Sequence, residues 1–330
     1  MAYSAGTVLP EPVGAVTRQC PPLSMESVAR FCQSESSKEK IDISQRKIQD
    51  IGKIFFISII YIYMSFKDNF LVKEKICETS YSIVYKSVDK VTNRTMVIKM
   101  ERQTNGTSLQ SDNYLRNETK IRKFLEHVNG IPKITDYGVY KSRRYIVYPY
   151  LPSTLYNMRL SIPQLFNCGK QLLDIVSDIH KTGIVHCDIS PMNVFCNQER
   201  NRFYLSDFGQ ARHFSFALSN NREKMVGCPM FCSLNVHHGH EYSYRDDLIS
   251  IGYLLYYCHR GRMPWSGMKT CREISESKEL FRKKYGSLGI PEELKIYLNY
   301  CFHLGINTIP EYEMLQKLFV GHIKQLEIET

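Results

Sequence analysis

Two short stretches decide the fold of this chain: HCDISPMN at positions 186–193 and DFG at positions 207–209. The first contains a carboxylate, Asp188, and an amide, Asn193; the second begins with another carboxylate, Asp207. Carboxylate and amide oxygens suit a hard cation such as Mg²⁺, and a carboxylate beside a hydroxyl can accept its proton. The pattern predicts that Asp188 accepts a proton and that Asn193 and Asp207 bind a metal ion.

A lysine and a glutamate precede these stretches. Lys99 ends a predicted strand, and Glu118 lies on the predicted helix that follows it. A lysine fixed on a strand can bind nucleotide phosphates, and a glutamate on a neighbouring helix can hold that lysine through an ion pair. The order Lys, Glu, H-x-D-x-x-x-x-N, D-F-G is typical of protein kinases. We therefore predict ATP as the nucleotide and Mg²⁺ as the metal, with Lys99 and Glu118 in the ATP site.

The periodicity of apolar residues divides the chain into a β-rich part and a helical part. Alternating apolar residues predict strands at 70–76, 82–88, 95–100 and 145–150. Apolar residues at a spacing of three and four predict helices at 115–125, 162–181, 246–259, 292–304 and 311–323. We expect an α+β protein with the bilobal kinase fold: a small antiparallel β-sheet lobe, 66–150, and a larger, mainly helical lobe, 151–322.

The two ends of the chain differ from the predicted domain. Residues 1–50 are rich in Ser, Pro, Gln and charges and have little periodicity, so we predict a flexible extension at 1–65, and 323–330 form a short tail. The apolar run at 54–63 is shorter than the roughly 20 residues of a membrane-spanning helix, so no transmembrane segment is predicted. The run is either an element packed on the domain or a peripheral membrane contact, and Met64 is an alternative start.

The amino-acid composition limits the classes of partner that the chain is expected to bind. With 43 Lys and Arg against 33 Asp and Glu, the net charge is +10, which favours acidic partners. Basic tracts with interleaved aromatic residues are missing from the sequence, so direct nucleic-acid binding is not predicted. The 11 cysteines form no C-x-x-C pair and are interpreted as reduced thiols. Cys228 and Cys232, with histidines at 237, 238 and 240, match no common zinc spacing.

From Asp68 to Phe319 the sequence resembles the casein kinase I group of Ser/Thr protein kinases, with the vaccinia-related kinases as a sister alternative. The resemblance is carried by IKME at 98–101, SLN at 233–235, RDDLISIG at 245–252, GRMPW at 261–265, YLNYC at 297–301 and PEY at 310–312. It implies a monomeric kinase of the nucleus or cytoplasm that phosphorylates Ser or Thr of acidic proteins. Nuclear, DNA-repair or trafficking signalling is implied in the same way.

The resemblance also implies structural roles for two residues, and it shows two positions at which this sequence differs from the group. Asp247 is expected to bind the backbone of the catalytic loop, and His186 is expected to be structural. Met230 stands where the group has an arginine that binds a phosphate on the substrate, so a preference for phosphorylated sites is not expected. Ser190 replaces a lysine that contacts the transferring phosphate, which removes a positive charge.

The predicted nucleotide loop lacks the glycines of the kinase pattern G-x-G-x-x-G. Cys77, Thr79 and Ser82 occupy those positions, so side chains crowd the place where backbone approaches phosphate. The ATP-binding residues predicted around this loop are Ile76, Cys77, Glu78, Thr79, Ser80, Tyr81, Ser82, Ile83 and Val84.

Three hypotheses about function follow from the sequence. The leading one is an active Ser/Thr kinase with a weakened grip on nucleotide. The alternative is a pseudokinase that acts as a binding scaffold, and a membrane-recruited adaptor that uses the run at 54–63 is a third.

Overall fold

An antiparallel sheet followed by a helical part accounts for the described chain in the computed structural model, which covers residues 65–66, 69–79, 81–102, 111–214 and 225–328. The apolar run at 54–63 and Ser80 of the predicted nucleotide loop lie outside the described residues. The order of sheet first and helices second confirms the predicted α+β architecture.

The sheet carries its core on one face and the lysine of the predicted ATP site on the other. Its strands are β1 (Ser65–Phe66), β2 (Phe70–Glu78), β3 (Ser82–Asp89), β4 (Thr95–Glu101), β5 (Asp136–Tyr140) and β6 (Arg143–Pro149), in the order β1-β2-β3-β4-β6-β5. Met96, Ile98 and Met100 of β4 pack into one hydrophobic cluster. Because successive side chains alternate between faces, Lys99 points to the opposite face.

The helical part is built around one long buried helix. Helix α1 (Ser111–Phe124) lies between β4 and β5 in the chain and contacts strands β4 and β6. The helices of the helical part are α2 (Ile162–Lys181), α3 (Leu234–His237), α4 (Tyr244–Arg260), α5 (Cys271–Lys284), α6 (Glu292–His303) and α7 (Tyr312–Ile328). Ser161 and Gln164 form a capping box that starts α2. Gly169 lets α7 approach α2 closely, since a Cβ there would lie 2.8 Å from the ring of Phe319. In the described part of the chain, none of the helices combines the length and apolarity needed to cross a bilayer.

Short strands position the segments between the helices. They are β7 (Ser153–Thr154), β8 (Ile184–Val185), β9 (Val194–Cys196), β10 (Phe203–Leu205) and β11 (Arg212–His213). β9 pairs with both β10 and β7, and β8 pairs with β11.

Strand β5 and helix α5 are the longest of the elements that were not predicted, and each has a physical reason. Strand β5 lies at the sheet edge and exposes Tyr137 and Val139, so it lacks a continuous apolar signal. Helix α5 buries Ile274, Lys278 and Phe281, and the lysine in the middle of this face breaks the apolar periodicity. The bounds predicted for α2 agree with the observed ones.

Lys278 fastens α5 to the segment that precedes α3. Its ammonium donates to the carbonyl oxygens of Pro229 (2.7 Å) and Cys232 (2.5 Å) and lies 3.1 Å from Nε2 of His237. Burial, together with the charge of Lys278, lowers the pKa of His237 to about 4. A neutral His237 can accept a hydrogen bond from the lysine, whereas a protonated one would repel it.

We predict that this pair makes stability depend on pH. The histidine has its ordinary pKa of 6.5 when unfolded and about 4 when folded, so the unfolded chain binds more protons between these values. The free energy of unfolding should fall as pH drops from 6.5 towards 4, and His237→Gln should reduce the slope. Urea unfolding at a series of pH values measures it, with the exposed His303→Gln as control. An unchanged slope in His237→Gln would contradict the prediction.

Candidate active site

A β-hairpin brings the two predicted metal ligands together. Val194 of β9 pairs with Leu205 of β10, and the backbone N–H of Ser206 donates to the carbonyl of Asn193 at 2.9 Å. Asn193 and Asp207 therefore flank the same end of the hairpin, although they are distant in sequence.

Lys99 joins the sheet to both acidic partners. Its Nζ lies 2.7 Å from Oε2 of Glu118 on α1 and 2.9 Å from Oδ1 of Asp207. Burial lowers the pKa of Lys99, but the carboxylates of Asp207 and Glu118 outweigh this effect, and the net pKa is raised. The ammonium is therefore charged at neutral pH.

Glu118 is fully buried and shared between two cations. Besides Lys99, it accepts a hydrogen bond from Arg122 one turn later, at 3.3 Å. The guanidinium of Arg122 also donates to the carbonyl of Pro132 and lies 4.5 Å from the ring centroid of Tyr148. Because a buried charge needs compensation, these contacts fix the position of α1 relative to the sheet.

Asp207 is held through one of its two oxygens. Oδ1 accepts from Lys99, from the Tyr114 hydroxyl at 2.7 Å and from the Gly209 N–H at 3.3 Å. Burial raises the pKa of Asp207, yet the charge of Lys99 and the bond from Tyr114 lower it to about 2. The residue has a left-handed backbone with φ of 65°, a strained conformation often found at functional sites.

Asp188 is held by an amide on each carboxylate oxygen. Oδ1 accepts from the backbone N–H of Cys228 at 2.8 Å, and Oδ2 accepts from Nδ2 of Asn193 at 3.2 Å. Gly227 has φ of 83° and places its Cα against the carbonyl of Cys187, where a Cβ would lie 2.2 Å away. The glycine therefore allows the chain to reach Asp188.

Asp247 binds the backbone of the catalytic loop, as the sequence predicted. Its carboxylate accepts from the N–H groups of His186 (2.7 Å) and Cys187 (3.0 Å) and from Nε2 of His180 (2.9 Å). Burial raises the pKa of Asp247, but the bond from His180 and those from the backbone outweigh it, and the net pKa is lowered.

His186 has a structural environment. It is fully buried, and burial lowers its pKa, which favours a neutral imidazole. Nε2 lies 3.2 Å from the Ser206 carbonyl, while Nδ1 lies 3.3 Å from the Asp188 N–H. A neutral ring with the proton on Nε2 satisfies both contacts, so the ring links the catalytic loop to the hairpin.

The nucleotide loop bonds to itself through a residue that stands in a glycine position. The Thr79 hydroxyl oxygen accepts from the N–H groups of Tyr81 (3.3 Å) and Ser82 (3.1 Å) and lies 3.2 Å from Oγ of Ser82. These N–H groups belong to the stretch predicted to approach phosphate. The hydroxyl therefore engages donors that the predicted loop would offer to a nucleotide.

The other predicted loop residues lie on the paired ends of β2 and β3. Cys77 pairs with Val84, and Glu78 pairs with Ile83. Val84 is also the register partner of Lys99 on β4, which places the loop strands beside the lysine. Of the remaining predicted residues, Ile76 is 42% exposed. Burial raises the pKa of the Cys77 thiol, so it stays protonated.

Sequence inspection missed two residues of α1 that contact the DFG stretch. Tyr114 binds Asp207, and Asn117 donates from Nδ2 to the carbonyls of Gly209 (3.2 Å) and Ala211 (2.8 Å). Tyr114 stands four residues before Glu118, which places these two side chains next to each other on the helix surface. That spacing is the signal that could have found Tyr114.

The available oxygens fit a divalent ion such as Mg²⁺. Among the hydrogen bonds between described residues, none engages Oδ2 of Asp207 or Oδ1 of Asn193. Mg²⁺ is commonly held by one or two protein groups together with substrate phosphates. Consistent with so small a ligand set, no cluster of three or more His, Cys, Asp or Glu suited to a metal occurs in the described part of the chain.

A buried lysine held between the carboxylates of Glu118 and Asp207, together with the loop that carries Asp188 and Asn193, is the arrangement that defines the class of protein kinases. Residues 70–305 match the protein kinase domain family. The chain belongs to the protein kinase family. The curated relatives that it resembles are named casein kinase I homologs.

Those relatives are similar over most of this chain. Casein kinase I homologs 1 and 2 of Schizosaccharomyces pombe are 27% and 28% identical over 280 and 273 residues, or 78% and 76% of this chain. The chain spans 62% of the length of each of these two relatives. The probable casein kinase I homolog of Encephalitozoon cuniculi is 28% identical over 279 residues, with 78% of this chain and 90% of that protein covered.

A solved structure agrees with the fold. The structure of vaccinia related kinase 3 has a TM-score of 0.65, with 83% of this chain and 96% of that chain covered at 20% identity. The resemblance to a casein-kinase-like branch is thus confirmed in sequence and the bilobal fold in structure.

We predict that the buried carboxylate of Asp247 is essential for stability. Asp247→Asn should lower the free energy of unfolding by about 2–3 kcal/mol, because charged hydrogen bonds to buried groups are lost. Urea denaturation measures the change. The control is Asp178→Asn, which removes an exposed carboxylate paired with Lys181. A loss no larger than that of the control would contradict the role given to Asp247.

Proposed function

We propose that this chain is an active Ser/Thr protein kinase that transfers the γ-phosphate of ATP, in the presence of Mg²⁺, to acidic protein substrates. The observation that carries the proposal is the position of Lys99 between Glu118 and Asp207. This contact joins the sheet, α1 and the DFG stretch into one site. We further propose Asp188 as proton acceptor, Asn193 and Asp207 as metal ligands, and the residues around β2 and β3 as the ATP-binding loop.

The proposed mechanism assigns a task to each held group. Asp188 accepts the proton of the substrate hydroxyl as the hydroxyl oxygen attacks the γ-phosphorus of ATP, whose bond to the β–γ bridging oxygen breaks so that ADP leaves. Its two amide contacts keep the Asp188 carboxylate oriented. Lys99 presents a fixed positive charge to the phosphates. Asp207 and Asn193 would hold Mg²⁺, which would supply positive charge against the phosphate oxygens.

A basic surface pocket supports the proposal of acidic substrates. The pocket, of about 830 Å³, has four basic residues in its lining: His259 and Arg260 at the end of α4, Arg262 just after it, and Arg159. Among the described residues, none of the ion pairs engages these three arginines. Arg159 and Arg260 donate to the carbonyls of Arg260 (3.0 Å) and Gly289 (3.3 Å), and guanidinium groups without an ion-pair partner favour carboxylate or phosphate.

The pocket is connected to the catalytic loop through packed residues. The indole N–H of Trp265, three residues after Arg262, donates to the Met230 carbonyl at 2.8 Å. Met230 belongs to the segment that begins with Cys228, whose N–H binds Asp188. This continuity supports placing the acidic part of a substrate in the pocket while its hydroxyl is at Asp188.

We predict that Arg262→Glu selectively impairs acidic substrates. The KM should rise about tenfold for a serine peptide flanked by Asp and Glu and stay within about twofold for the same peptide with Asn and Gln, because only the former loses charge complementarity. Steady-state kinetics measures this. The control Lys283→Glu makes the same charge change at an exposed lysine outside the pocket. An equal effect of the control would mean that net charge, and not the pocket, is responsible.

The second candidate is a pseudokinase scaffold, which the self-bonded nucleotide loop favours. Thr79 engages the N–H groups of Tyr81 and Ser82, and buried Ser190 supplies no charge for a transferring phosphate. In this alternative the fold binds partners and transfers phosphate slowly or not at all.

A transfer assay separates the two candidates. Wild-type protein with Mg²⁺, labelled ATP and an acidic protein should incorporate label, and Asp188→Asn should reduce the rate by about 10²–10⁴-fold, the range for losing a general base. Wild-type incorporation no higher than that of Asp188→Asn would contradict the kinase proposal. Thermal stabilisation by ATP in the same samples would then identify a nucleotide-binding scaffold.

Further parts of the proposal derive from the resemblance to casein kinase I relatives. We propose a monomeric kinase domain at 66–322, with its lobes meeting near Tyr150 and flanked by an extension at 1–65 and a tail at 323–330. We also propose action in the nucleus or cytoplasm, with roles in nuclear, DNA-repair or trafficking signalling.

A further inference from the structure

Tyr114 contacts three separate parts of the proposed ATP site. Its hydroxyl donates to Oδ1 of Asp207 at 2.7 Å. Its ring stacks on Tyr81 of the nucleotide loop, with centroids 5.0 Å apart and planes 7° apart. The ammonium of Lys99 lies 5.1 Å from the centre of the same ring. One side chain of α1 therefore links the loop, the lysine and the metal-binding carboxylate.

The chain makes room for this ring at Gly209. A Cβ at that position would lie 2.0 Å from the ring carbon that bears the Tyr114 hydroxyl. No side chain beyond glycine is compatible with that distance, so the third residue of DFG gives the tyrosine its place. Asn117, one turn later on α1, binds the Gly209 and Ala211 carbonyls. The helix is thus fixed against the DFG stretch from two positions.

The contact with Asp207 determines which oxygen faces the metal site. Oδ1 accepts from three donors, namely Lys99, Tyr114 and the Gly209 N–H. An oxygen with this many donors has little remaining capacity to bind a cation, whereas Oδ2 has no hydrogen bond among the described residues. The donors orient the carboxylate so that Oδ2 would be the oxygen available to a metal ion.

The stacking of Tyr114 on Tyr81 can hold in place a nucleotide loop that lacks the usual glycines. Thr79 engages the N–H groups of Tyr81 and Ser82, so the backbone alone offers a poor hold on phosphate. A tyrosine stacked at the loop tip holds the loop over the site by a side-chain contact. Stacked aromatic pairs of this geometry are favourable beyond their buried area.

We propose that Tyr114 is a positioning residue, whose hydroxyl orients the Asp207 carboxylate for the metal and whose ring anchors the nucleotide loop through Tyr81. This inference rests on the proposed kinase function. The two tasks belong to different atoms of one side chain, so they can be separated by substitution.

Tyr114→Phe and Tyr81→Leu test the two tasks. Tyr114→Phe keeps the ring and should raise the half-saturating Mg²⁺ concentration about tenfold, since groups that orient a metal ligand affect metal affinity by about 10–100-fold. Its KM for ATP at saturating Mg²⁺ should change less than about twofold. Tyr81→Leu removes the stack and should raise the KM for ATP about fivefold with an unchanged Mg²⁺ requirement. Tyr285→Phe, which loses a hydroxyl bond to Asn299 on the surface, is the control.

A binding measurement keeps the test independent of phosphate transfer. Thermal stabilisation by a non-hydrolysable ATP analogue is recorded while Mg²⁺ is titrated. A shifted Mg²⁺ midpoint in Tyr114→Phe supports the inference even if wild-type protein transfers no phosphate, an outcome that would overturn only the kinase proposal. A midpoint equal to that of Tyr285→Phe overturns the orienting role. The same pattern in Tyr81→Leu and Tyr114→Phe overturns the division of tasks.

Discussion

The structure depends on the buried ammonium of Lys99 and on the two carboxylates that neutralise it. A lysine that is 4% exposed is costly unless it is paired, and here the partners come from different elements, Glu118 on α1 and Asp207 after β10. The charge therefore fixes the helix and the hairpin against β4. Arg122 shares Glu118 and continues the network into the packing of α1. A shift of Glu118 would separate the buried charges of both Lys99 and Arg122 from this carboxylate.

A second buried carboxylate organises the catalytic loop in the same way. Asp247 takes the backbone N–H groups of His186 and Cys187, and Cys187 has the left-handed backbone that this turn requires, with φ of 66°. The loop then presents Asp188 to the N–H of Cys228 and to Asn193. The proposed chemistry thus relies on two networks of buried charge. The network of Lys99 positions the charge that would bind phosphate, and the network of Asp247 positions Asp188, the proposed proton acceptor.

The sequence was most informative at positions where the proposed chemistry requires a particular residue type. It was least informative where the structure depends on packing and turn geometry. Asp188, Asn193 and Asp207 were predicted from motif spacing, and α2 from its strict apolar periodicity. Helix α5 was not predicted because Lys278 interrupts its apolar pattern, and a lysine is expected on the surface although this one is buried. The sequence does not distinguish Tyr114 from an ordinary core tyrosine, because its role depends on the contact between its ring and Gly209. The absence of loop glycines was visible, but the internal bonds of Thr79 depend on a turn geometry that the residue types do not determine.

The central claim is that the paired Lys99 forms the nucleotide site. The most direct test compares the nucleotide affinity of the wild-type protein with that of a Lys99 variant. Isothermal titration calorimetry with a non-hydrolysable ATP analogue and Mg²⁺ should show binding to wild-type protein and a loss of about tenfold or more in Lys99→Met, because the fixed charge on the phosphates is removed. Lys120→Met, at an exposed lysine on α1, should bind as wild type does. Equal affinity in wild type and Lys99→Met would contradict the claim that the paired lysine forms the nucleotide site.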